Sequence, residues 1–167
     1  SANGDLNVET QATTSAAGWQ TLTFTLGNNN NIYNKASIFF DFGNAGAGEI
    51  YYLDDVHFPS GALVVPALAS CSSGGICLTF ESAVDADLTP FGGNVPSISS
   101  NAPAGGSAGS AKSAKIIKAA GQTWGGTTFF TGASTTSLLT NENKVVTLNV
   151  YAEAVKNVLL KLENSAN

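Results

Sequence analysis

Four aromatic side chains, Trp19, Trp124, Tyr33 and Tyr51, are the groups best suited to stacking on the flat face of a sugar ring. Trp124 lies in Gly121-Gln122-Thr123-Trp124-Gly125-Gly126. The flanking glycines suggest a loop or strand edge that presents the indole, though a core or interface position is equally compatible. Trp19 begins an alternating segment, with a parity opposite to Leu22, Phe24 and Leu26. Tyr51 and Tyr52 point to opposite faces of one strand, so one of them belongs to the core. Tyr33 follows an asparagine run and is exposed by context. That run, Asn28 to Asn31, could bind glycan hydroxyls or form a solvated turn.

Asp54, Asp55 and Glu81 are the carboxylates best suited to a hard cation such as calcium, which takes oxygen ligands. No dense acidic loop of the EF-hand kind accompanies them. Glycosidase chemistry needs two carboxyls facing across a cleft, and no motif marks such a pair here. The single histidine, His57, alternates outward on a strand, and no Gly-x-Ser-x-Gly elbow supplies a nucleophile. The expectation is a chain without catalysis. Cys71 and Cys77 enclose a short glycine-containing loop, which suits a disulfide in an oxidising compartment, with a pair of free thiols as the alternative.

These groups sit in a chain of 167 residues, of which 11% are charged, against about 25% in an ordinary soluble domain. Seven lysines and no arginine face twelve carboxylates, for a net charge of −5. A nucleic-acid partner would need a basic face, and a membrane span would need some 18 continuous apolar residues; the sequence has neither. Gly, Ser, Thr and Asn supply the polarity instead, which points to an extracellular or cell-surface β module. Leu68-Ala69-Ser70-Cys71 imitates a lipoprotein cleavage box, but it stands mid-chain without a basic segment before it. With no initiator Met or signal peptide, the chain is expected to be a processed or excised piece.

Alternation and turn chemistry divide the chain into three. Residues 1–58 carry strands at Trp19 to Leu26, Ala36 to Phe42 and Ile50 to Phe58. Residues 59–77 read as a linker with the cysteine loop. Residues 78–167 restart the pattern, with strands at Leu78 to Glu81, Ser113 to Ala119, Thr127 to Phe130, Lys144 to Tyr151 and Asn157 to Glu163. Pro90 to Ser110 reads as a long loop, and Ala152 to Lys156 as one helical turn. Eight or nine short strands predict an all-β, two-sheet antiparallel β-sandwich of jelly-roll type.

Leu78-Thr79-Phe80-Glu81 resembles the opening strand of jelly-roll carbohydrate-binding modules of the family 4/9-like type. Gly18-Trp19-Gln20-Thr21-Leu22-Thr23-Phe24, Phe39-Phe40-Asp41-Phe42-Gly43 and Tyr52-Leu53-Asp54-Asp55-Val56 resemble the closing strands of the same modules. The resemblance implies a sandwich that binds polysaccharide without cleaving it. It also implies a structural calcium held where Glu81 meets Asp54 or Asp55, and a packing role for Trp19. The order, however, is permuted: residues 1–58 form the closing half and residues 78–167 the opening half. The chain ends Leu-Glu-Asn-Ser-Ala-Asn and begins Ser-Ala-Asn-Gly-Asp, so overlapping Ser-Ala-Asn restores the middle of one module.

Two arrangements follow. The linker can join the halves within one chain as a circular permutant, or each half can be completed by a neighbouring copy in a tandem array, which is the favoured expectation. The leading functional expectation is a repeat that binds a polysaccharide or surface glycan, or serves adhesion. The alternative is a structural unit of a surface filament, assembled head-to-tail by strand complementation. A third, weaker expectation is an ancillary domain of a polysaccharide-degrading enzyme.

Overall fold

The computed structural model describes residues 7–27, 32–59, 75–106, 110–133 and 137–165. Eleven strands run through them: β1 (Asn7–Thr13), β2 (Gly18–Thr25), β3 (Lys35–Phe40), β4 (Ile50–Phe58), β5 (Ile76–Leu78), β6 (Thr89–Phe91), β7 (Val95–Ser99), β8 (Ser113–Ile117), β9 (Gly126–Thr131), β10 (Val145–Ala152) and β11 (Asn157–Glu163). The only helical element among the described residues is a 3-10 turn at Asp85–Asp87, not at Ala152 to Lys156.

The strands form two antiparallel sheets that pack as a sandwich. One has the order β1-β11-β3-β9-β6, and the other the order β2-β10-β4-β8-β7, with β5 also paired to β4. Their inner faces make one core because the apolar residues keep a period of two. Leu22 and Phe24 of β2, Val146, Leu148 and Val150 of β10 and Ile116 of β8 face Ile38 and Phe40 of β3, Phe129 of β9 and Val158, Leu160 and Leu162 of β11. The Phe40 and Tyr51 rings stack across the two layers with centroids 4.3 Å apart.

β4 breaks its own alternation once. Tyr51 and Leu53 face the core, and so do Val56 and Phe58. Two residues, Asp54 and Asp55, therefore occupy the space of one. The pairing with β10 shifts there, from Asn149↔Asp54 to Thr147↔His57, and Asp55 takes a left-handed φ of 45°. This is a β-bulge, which turns an acidic pair into a corner instead of a run of ladder positions.

The two halves of the sequence complete one another within the single chain. β1 and β3 pair with β11, β2 pairs with β10, and β4 pairs with β8 and β10. Strands from residues 7–58 and from residues 76–163 thus share both sheets. The second half also opens earlier than expected. Ile76 already pairs with Phe58, while Phe80 adopts φ 58° and carries the chain into a turn at Glu81, so Leu78 to Glu81 is not one strand. β6 and β7 lie within the segment read as a long loop. Residues 60 to 74, including Cys71, and residues 28 to 31 lie outside the described residues.

Candidate functional site

The same parity that drives Leu22, Leu148 and Leu53 inward sends their neighbours to the outer face of the six-stranded sheet. One row across that face runs Trp19 of β2, Tyr151 of β10, Tyr52 of β4, Lys115 of β8 and Ser97 of β7, each opposite the next. The three rings at its head touch. Trp19 lies 5.9 Å from Tyr151 and 6.3 Å from Tyr52, and the two tyrosines are 5.9 Å apart, all tilted or edge-on. The next row is polar: Thr21 Oγ1 donates to Asn149 Oδ1 at 2.6 Å, and Asn149 Nδ2 donates to Asp55 Oδ2 at 3.2 Å. A second loop fixes the indole. Trp19 Nε1 donates to the Pro103 carbonyl at 2.8 Å, and Gly106 lies so close that a Cβ there would stand 3.1 Å from the ring.

Beside this face the bulge delivers Asp54 to the turn that holds Glu81. Ser110 Oγ lies 2.6 Å from Asp54 Oδ2, 2.9 Å from Glu81 Oε1 and 2.8 Å from the Lys112 carbonyl. A hydroxyl has one proton, so it can satisfy only one of these three acceptors. Glu81 Oε1 also accepts from the backbone N–H groups of Ala111 and Lys112 at 2.8 and 2.9 Å. Asp55 turns away to Asn149, so the structure brings together two of the three predicted carboxylates.

The electrostatics of the pair diverge. Burial pushes Asp54 up to about 6, opposed by the Ser110 and Asp55 N–H hydrogen bonds and reinforced by the negative charges of Asp55 and Glu81. Burial also raises Asp55, against the Asn149 hydrogen bond. Glu81 is held below its ordinary range, chiefly by the Lys112 N–H. Two carboxylates, a hydroxyl and a carbonyl converge on one point with too few protons, and this all-oxygen set suits a hard cation completed by water. Among the described residues no group of three or more His, Cys, Asp and Glu stands close enough to hold a metal.

The remaining predicted residues lie elsewhere. Tyr33 is 1% exposed, not exposed as its asparagine neighbours suggested. Its carbonyl accepts from Leu138 N and the next residue, Asn34, donates its N–H to Glu163, which pins the segment and turns the ring into the core. Tyr51 is also 1% exposed and stacks on Phe40, so the core member of the tyrosine pair is Tyr51, while Tyr52 lies on the outer side of the sheet, itself 9% exposed beneath Trp19 and Tyr151. Neither Tyr33 nor Tyr51 can present a ring face to a ligand in this arrangement.

Trp124 is 54% exposed, on a loop tied down by Gly43 N–H to the Thr123 carbonyl and Gly46 N–H to the Gln122 carbonyl. It stands against Gly92, at the edge of a second aromatic group in which Phe39 contacts both Phe42 and Phe91, 5.6 and 5.2 Å away. His57 lies opposite Cys77 of β5; the other half of the predicted disulfide, Cys71, lies outside the described residues.

Sequence reasoning missed Tyr52 and Tyr151 as partners of Trp19. Their parity, opposite to Leu53 and Val150, was the available signal. No helix among the described residues is long and apolar enough to cross a membrane. Compared with protein-family models, curated proteins and solved structures, the chain matches none.

Proposed function

We propose that the chain is a non-catalytic glycan-binding module of an extracellular or cell-surface protein, resembling jelly-roll carbohydrate-binding modules, that meets its ligand on the outer face of the six-stranded sheet. The observation that carries this is the aromatic row Trp19–Tyr151–Tyr52 bordered by Thr21 and Asn149. The partly exposed Trp19 and Tyr151, packed over a buried Tyr52, offer apolar ring surface to the C–H side of a pyranose and amide and hydroxyl groups to its rim, with little charge. Asp54 and Glu81 converge on one hydroxyl instead of facing across a cleft, which supports a role other than acid and base.

The proposal includes a structural calcium at Asp54, Glu81, Ser110 and the Lys112 carbonyl, where it would tie β4 to the segment that backs Trp19. It also includes the Cys71–Cys77 disulfide, supported by the absence of a free cysteine thiol among the described residues.

A glycan array probed with the native protein, Tyr151→Leu and Trp124→Ala tests the reading. Binding lost in Tyr151→Leu places the ligand on the sheet face; binding lost only in Trp124→Ala moves it to the rim patch. A folded native protein that binds no glycan defeats the reading and favours the structural repeat of a surface filament.

A further inference from the structure

A polar cavity of about 200 Å³ lies between the sheet and the segments on either side of residues 107 to 109. It is lined by Trp19, Asp54, Ser110, Ser113 and residues 102 to 106, among others. Two observations mark it as built to receive something. Ser113 is 1% exposed, yet its Oγ has no hydrogen-bond partner. Leaving a buried hydroxyl unpaired costs about 1–3 kcal/mol, so such a group calls for an occupant with polar atoms. Asp54, 2% exposed, is the second: Oδ1 accepts from Asp55 N–H and Oδ2 from Ser110, and each oxygen keeps a further lone pair.

The cavity is also rigid. The indole is tied to Pro103, and Gly105, at φ 96°, leads into Gly106, where a Cβ would press on the ring at 3.1 Å. At the other end Glu81 caps the N–H groups of Ala111 and Lys112. A site ordered before binding loses little entropy on filling.

We infer that this cavity is a one-residue pocket in which a vicinal diol of a single pyranose is gripped by Ser113 Oγ and the Asp54 carboxylate, with Trp19 as its wall. The inference rests on the glycan-binding reading and adds to it the unit recognised. The volume, below the roughly 300 Å³ at which drug-sized pockets begin, is on the scale of one ring. A diol supplies both a donor for the carboxylate and a partner for the orphan hydroxyl.

The test is a titration of the intact chain with methyl glucoside, galactoside, mannoside and xyloside, read by tryptophan fluorescence and saturation-transfer NMR. At least one is expected to saturate in the millimolar range. Ser113→Ala, which keeps the fold, should weaken it about fivefold, as loss of one neutral hydrogen bond does. Ser113→Val should abolish it by filling the space, with circular dichroism confirming that both variants are folded. If longer glycans bind through Tyr151 while no methyl glycoside saturates, or Ser113→Ala binds as the native chain does, the pocket is wrong and the glycan reading stands. A soaked crystal holding only water there has the same meaning. If no glycan of any length binds, both fall.

Discussion

At Asp54 a carboxylate is held inside the fold by a hydroxyl that must also serve Glu81. Its raised value has a direct thermodynamic sign. The folded group titrates near 6 and the unfolded one near 3.8, so its contribution is present below about pH 4 and lost as pH rises through 6. The loss is at most about 3 kcal/mol. Asp54→Asn keeps the shape and removes the charge, so in a chelator at pH 7 the variant should melt above the native chain. Calcium should raise the native melting temperature and leave the variant unmoved; equal responses would remove the cation from the proposal.

The opposite sign holds at Asp41. Burial raises it, but the Lys156 ammonium, 2.6 Å from Oδ2, and Asn44 pull it below 3.8, while Lys156 is itself raised by Asp41. This pair stabilises above the unfolded carboxyl value and its help is lost as pH falls through the lower folded one. Lys156→Met should therefore flatten the acid limb of a stability–pH curve measured by thermal melting. Lys118 is a purely structural cation: its buried ammonium donates to the carbonyls of Phe40, Asp41 and Asn44. Lys118→Met removes all three bonds, although the Asp41 carbonyl keeps the Asn44 N–H, and should cost on the order of 2–4 kcal/mol in urea unfolding.

Among the elements, β4 makes the site, because its bulge hands Asp54 to Ser110 while returning Val56 and Phe58 to the core. Deleting Asp55 would restore strict alternation with Val56 and Phe58 still facing the core, and would remove the corner that hands Asp54 to Ser110. The expected outcome is cooperative unfolding retained in calorimetry with the calcium response lost; a native-like calcium response would separate the bulge from the site.

Element by element, legibility followed the strength of alternation. β2, β10 and β11 carry Leu, Val and Phe at every second place, and their bounds fall within a residue or so of expectation. β1 alternates too, but its inward residues are only Val8, Thr10 and Ala12, too small to stand out. β6 and β7 contain Pro90 and Pro96, which give them the signature of a loop, yet both are edge strands, where a missing N–H is tolerated. The site was half legible. The acidic pair, Glu81 and Trp19 are marked by residue type, whereas Ser110 and Ser113 are two serines in a serine-rich stretch, and only the fold tells them from their neighbours.

For the whole molecule, low charge and two sheets with aromatic outer clusters describe a body that depends on packing and neutral contacts. Each half closes on the other within one chain, so solution scattering should report a compact monomer. A dimer or longer polymer at micromolar concentration would instead restore strand exchange between copies, and with it the filament reading.

The pairing of the first and last strands has a mechanical meaning. Asn7 lies opposite Glu163 and Thr13 opposite Asn157, so the start of β1 and the end of β11 lie at the same corner. Tension applied through those ends would load the seven residue pairs in turn, from Asn7↔Glu163 inward, as a zipper opens, in place of shearing them all at once. In an optical trap the domain should yield at low force, with β1 peeling from β11 first. Once β1 has peeled from β11, the load would pass along the chain directly to β2 and β10, the two strands that carry Trp19 and Tyr151, so the outer face of the six-stranded sheet would be the next part to feel the strain.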